Sequence, residues 1–132
     1  MDDDRSKQIR VIKQADVSWE EAWKGPEDDL PAGQDFTAAI SDDDKFSTGL
    51  WRRERQDRFF ERQYHEIAFI IEGEVEITDI EGVVSVAGPG DILITPKGSM
   101  GQWRNLSPVR KFWAIYEEPG ATLNPYLGPG PF

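Results

Sequence analysis

The stretch QYHEIAFIIEGEVEITDIEG, residues 63–82, places the single histidine of the chain, His65, next to Glu66 at the head of an apolar run. An imidazole beside a carboxylate is raw material for a metal site or an acid–base pair. Along an extended strand, however, adjacent side chains leave opposite faces, so His65 and Glu66 cannot share one ligand. His65 is therefore expected on the outer face. Glu66 shares its parity with Arg62, Tyr64, Ala68 and Ile70. A carboxylate, a phenol and a guanidinium on one face can accept a proton, donate one and hold a substrate carboxylate. The expected catalytic residues are Glu66 and Tyr64, with Arg62 binding the ligand. The plainer role for Glu66 is a buried carboxylate paired with an arginine. Desolvation would raise its pKa and a neighbouring arginine would lower it, and the sequence leaves both open.

The rest of the composition narrows the chemistry. A chain of 132 residues makes one domain with a single core. It has no cysteine, which removes disulfides, thiolate metal sites and cysteine nucleophiles. With one histidine, no Ser/His/Asp arrangement is served, and no glycine-rich phosphate loop precedes a helix. A net charge of −10 argues against nucleic acid, whose binding rests on neutralising phosphates with Lys and Arg. Five arginines (Arg52, Arg53, Arg55, Arg58 and Arg62) crowd into LWRRERQDRFFER, but interleaved acids make that segment read as a solvated edge. No apolar run approaches the ~20 residues of a membrane span, and the N-terminus lacks the regions of a secretory signal. A cytoplasmic protein that binds neither membrane nor nucleic acid is expected.

The elements that must position these residues are short. Residues 1–35 read as an N-terminal arm, in which Ser18 and Glu21 form a capping-box pattern for a short helix bearing Trp19 and Trp23 on one face. From Phe36 onward, strand-like runs alternate with turns. Strands are predicted near 36–40, 47–55, 63–72, 74–79, 83–87, 91–95, 100–105 and 109–117, with RQDRFF as a connector and turns at Gly90–Asp91 and Pro96–Gly98. This spacing predicts an all-β sandwich or barrel over residues 36–117. IAFII is apolar at both parities, which predicts burial on both faces, with the arm or a partner subunit as the second cover. Residues 118–132, rich in Pro and Gly, are expected to form an extended tail, from which Tyr126 and Phe132 could pack onto a neighbour.

Two stretches together resemble the cupin superfamily. GDILITPKGSMGQWRN matches its second motif at Gly90, Pro96, Gly98 and Asn105, with Gly101 in the histidine slot. Glu66 and Gly73 match the end of its first motif, whose two histidines would fall at Phe60 and Arg62, or at Phe59 and Glu61 under the longer spacing. The wider context is similar to the branch that includes (S)-ureidoglycine aminohydrolase and the ethanolamine-utilisation cupin. The resemblance implies a double-stranded β-helix, the cupin jelly-roll barrel, and a homodimer paired through sheets. A cupin metal site takes three histidines and one glutamate, of which only Glu66 is present, so no metal and no other cofactor is expected. Through the resemblance, Trp51 and Arg53 in the early tryptophan motif and Trp103 in the second motif join Arg62 as ligand-binding residues. The expected function is binding of a small polar metabolite in the barrel, with metal-independent lyase, isomerase or hydrolase chemistry at Glu66. The alternatives are a non-catalytic ligand-binding module and a metal-dependent enzyme with unusual ligands, such as Glu66 with Tyr64 and waters.

Overall fold

A computed structural model describes residues 7–117. Its strands are β1 (Glu20–Glu21), β2 (Gln34–Ile40), β3 (Phe46–Arg53), β4 (Asp57–Glu61), β5 (His65–Glu72), β6 (Val75–Asp79), β7 (Val84–Ala87), β8 (Ile92–Thr95), β9 (Met100–Asn105) and β10 (Val109–Tyr116). They form a six-stranded sheet in the order β1-β2-β3-β10-β5-β8 and a four-stranded sheet in the order β4-β9-β6-β7. Every pairing is antiparallel. The non-sequential order, with β10 between β3 and β5, is the crossing connectivity of a jelly roll. Trp51, Phe60, Ile70, Val75, Trp103, Val109 and Trp113 fill the space between the sheets. The two expected turns are present: Asp91 N–H donates to the Gly88 carbonyl and Ser99 N–H to that of Pro96, both at 2.9 Å. No α-helix occurs among the described residues, and no helix there is long and apolar enough to cross a membrane.

Three sequence expectations change. The helix expected at Ser18–Trp23 is replaced by β1, which pairs Glu20 with Asp35 and Glu21 with Gln34 at the edge of β2. A helix this short is marginal alone, whereas the extended form pairs its backbone with the sheet and lets Trp19 lie 4.0 Å from the Arg52 guanidinium. The connector RQDRFF contains β4, whose Arg58, Phe59 and Phe60 are all buried. Burial on both faces erased the alternation that marks a strand. Finally, IAFII is buried on one face only within the chain. Ala68 and Ile70 are fully covered, while Ile67 and Phe69 are 52% and 44% exposed. The arm is tied to the sheet elsewhere, through Asp28, Leu30 and Pro31 on Arg53. Tyr126 and Phe132 lie outside the described residues.

Candidate functional site

Alternation along β5 turns Glu66, Ala68 and Ile70 inward and leaves His65 outside. Next to it, β10 turns Val109, Lys111 and Trp113 the same way. These strands, with β2, β3, the arm residues Ala22 and Trp23 and the β4–β5 connection, line an open cavity of about 390 Å³. Trp51, Trp113 and Tyr64 wall it; Arg62, Glu66 and Lys111 supply its charge, and Asp35 lies on its lining.

The charged groups converge on one atom. Lys111 Nζ donates to Glu66 Oε2 at 2.9 Å, and Arg62 Nη2 approaches the same oxygen at 3.5 Å. Arg62 is braced by a 2.9 Å bond from Nε to Thr95 Oγ1 and lies over the rings of Phe60 and Tyr64, at 4.7 and 5.9 Å. The Lys111 ammonium sits 4.9 Å from the ring centre of Trp51 and 4.6 Å from that of Trp103, within cation–π range. Burial alone would push the Glu66 carboxyl up, but the charges of Arg62 and Lys111 outweigh it and hold it below the usual range. Burial pushes the Lys111 ammonium below the usual lysine range, with Arg62 adding to the shift and Glu66 opposing it. Burial raises Asp35, against a 3.0 Å hydrogen bond from Trp113 Nε1 and the charge of Lys111.

Of the residues singled out in the sequence, Trp51, Arg62, Tyr64 and Glu66 line this cavity. Trp103 is buried behind it, edge-on to Trp51 at 5.8 Å, with its indole N–H donated to Asn105 Oδ1. Arg53 points away from the cavity. It donates to Asp28 Oδ2 at 2.9 Å and Gln56 Oε1 at 2.8 Å, and so anchors the arm. His65 accepts a hydrogen bond at Nδ1 from the Lys97 N–H, a structural tie across the Pro96–Gly98 turn. Lys111 and Asp35 were missed. The signal for Lys111 was present in the sequence: it interrupts the apolar parity of Val109, Trp113 and Ile115 with a cation.

The residues do not fit a divalent metal. The motif's histidine positions hold Phe60 and Arg62, or Phe59 and Glu61 under the longer spacing, and Gly101, where an added Cβ would lie 2.5 Å from the Thr78 carbonyl oxygen. The one remaining carboxylate already carries two cations, which would repel a third. Among the described residues no group of three or more His, Cys, Asp or Glu is placed to hold a metal ion.

No curated protein matches the chain. The EutQ-like cupin domain family matches residues 40–113, more than half of the sequence. An ethanolamine utilization protein Q from Salmonella typhimurium LT2 superposes with a TM-score of 0.67 at 20% identity, over 82% of this chain and 85% of that one. The EutQ protein of Clostridium difficile gives 0.58 at 20% identity, over 67% and 70%. An RmlC-like cupin from Shewanella frigidimarina gives 0.64 at 10% identity, over 86% and 95%. At these identities the structures speak for the jelly-roll fold, while the family match covers β3 through most of β10 and so takes in Trp51, Arg62, Tyr64, Glu66 and Lys111 of the cavity. The chain belongs to the EutQ-like cupin domain family.

Proposed function

We propose that this cupin binds a small organic anion in its barrel and acts on it by acid–base chemistry that needs no metal. The observation that carries this reading is the buried Arg62–Glu66–Lys111 cluster at an aromatic-walled cavity. Arg62 and Lys111 both line the cavity beside Glu66, so an incoming carboxylate would meet a guanidinium and an ammonium there. The cavity has the size and mixed lining of a small-metabolite site. Arg62 is the anchor, since its planar fork suits a carboxylate. Glu66, held ionised, orients Arg62 and Lys111 and takes a proton from Lys111, while Tyr64 is the expected donor. The opposed environments of Asp35 and Glu66, one pushed up and one held down, favour this reading over simple binding.

Calorimetric titration with a panel of small mono- and dicarboxylates, and neutral polyols of the same size, tests it. The expected result is carboxylate binding that weakens in Arg62→Gln by about 10–100-fold, the size of a lost charged hydrogen bond. Binding of polyols alone, or equal carboxylate affinity in both proteins, would overturn it. We also propose that two copies pair through the outer face of the six-stranded sheet.

A further inference from the structure

We propose that Lys111 is an imine-forming nucleophile for a short 2-oxo carboxylic acid, held by its carboxylate on Arg62. This rests on the reading of the cavity as a carboxylate pocket and names its substrate class. Lys111 and Arg62 meet on the same Glu66 oxygen, at 2.9 and 3.5 Å, so the amine and the guanidinium are no farther apart than two hydrogen-bond lengths. A 2-oxo acid carries its carbonyl carbon directly beside its carboxylate. With the carboxylate on Arg62, that carbon is turned toward Lys111 Nζ, and a 2-oxo acid is the shortest carbonyl acid that spans the two groups.

The surroundings suit the chemistry. Trp51 and Trp103 flank the amine and keep it dry. Desolvation also favours the neutral form that attacks, as in other nucleophilic lysines. The groups acting on it are Glu66 from β5, Asp35 from β2 and Arg62 from the β4–β5 connection. Glu66 takes the proton from the ammonium. The amine lone pair then forms the new C–N bond and the carbonyl π pair moves to oxygen; one proton passes from that nitrogen to that oxygen and gives the neutral carbinolamine. A second proton, from Asp35 or Tyr64, lets the hydroxyl leave as water while the freed nitrogen lone pair closes the C=N bond, giving the protonated imine. No oxidant, reductant or metal is required.

The test is reductive trapping of the full chain at pH 7 with pyruvate and borohydride, followed by intact-mass measurement and peptide mapping. Acetone serves as a carbonyl without a carboxylate. One reduced adduct per chain is expected at Lys111, formed about 10-fold or more faster than at any surface lysine, because only Lys111 has a guanidinium beside it to hold the pyruvate carboxylate. Acetone should label Lys111 at least about 10-fold more slowly, having no charged anchor. Lys111→Arg and Lys111→Met, checked for folding by circular dichroism, should lose the adduct. Since the wild-type map needs no variant, misfolding of either leaves the test intact. Labelling spread evenly over the lysines overturns the proposal. Calorimetric binding of pyruvate and propionate with no adduct at Lys111 overturns the imine and leaves the carboxylate pocket standing. Absence of both binding and adduct overturns both.

Discussion

Glu66 holds two cations on one oxygen, and its replacement shows how such a charge set is balanced. Glu66→Gln keeps the shape but leaves Lys111 buried without its counter-charge, and breaking a buried pair in this way costs roughly 3–5 kcal/mol at neutral pH. The cost has a defined pH dependence. The Glu66 pKa is depressed in the folded chain, so its contribution is present above the unfolded value of 4.5 and is lost as pH falls through the folded pKa. On the alkaline side Lys111 decides. Its folded pKa lies below 10.5 and falls further without Glu66, so the unfolded state binds more protons between the two values and stability rises with pH there. The stability gap between wild type and Glu66→Gln should therefore be widest near neutrality and shrink toward both extremes. Urea unfolding at a series of pH values measures it; a gap independent of pH would mean that Glu66 and Lys111 do not bear charge on each other.

At the scale of elements, β9 shows why the lost metal motif cannot be restored by one change. Gly101 pairs with Asp79 on β6 and with Phe60 on β4, and the space for its Cβ is taken by the Thr78 carbonyl. Gly101→His must push these strands apart, a distortion of about 1–3 kcal/mol by the usual cost of overpacking. Even a tolerated imidazole would stand alone, since the other histidine positions of the motif hold Phe60 and Arg62, or Phe59 and Glu61. Denaturation midpoints should fall and stay unchanged on adding nickel, cobalt or manganese; a metal-dependent rise would show a usable site. The same strands explain what was legible beforehand. Parity counted from Glu66 put Arg62 and Tyr64 beside it, and all three line the cavity, although the apolar run IAFII did not tell the two faces of β5 apart. β4 was not, because Arg58 is buried against the arm and Phe59 and Phe60 are buried as well, which leaves no alternation. Arg53 was assigned to the cavity by motif, but its direction depends on Asp28, twenty-five residues away, which the local pattern cannot convey. The break that Lys111 makes in the apolar parity of β10 was visible, but its partner Glu66 lies on another strand, 45 residues away, which the local pattern does not convey.

For the whole molecule, the outer face of the six-stranded sheet is the unbalanced surface. Ile67 pairs with Ile94 on one side and Ala114 on the other, and Phe69 with Ile92 and Phe112, so these side chains form one continuous apolar strip. Ile92 and Ile94 are 64% and 63% exposed in the single chain. A strip of this kind on an otherwise acidic protein marks an interaction surface. A second copy is the occupant that a flat, self-complementary sheet face fits under two-fold symmetry. The five side chains Ile67, Phe69, Ile92, Ile94 and Phe112, doubled by the symmetry, supply on the order of 10 kcal/mol on burial. That is comparable with the roughly 4–15 kcal/mol that association costs. The proposed dimer would thus be held by a narrow margin that one buried charge reverses. Light scattering at low micromolar concentration should give a dimer mass for the wild type and a monomer mass for Ile94→Lys, which places an unpaired ammonium on both sides of the axis. Because Ile94 faces away from the barrel, the variant should bind carboxylates as the wild type does. A wild-type monomer at that concentration, or an Ile94→Lys protein that remains dimeric, would remove this face as the contact.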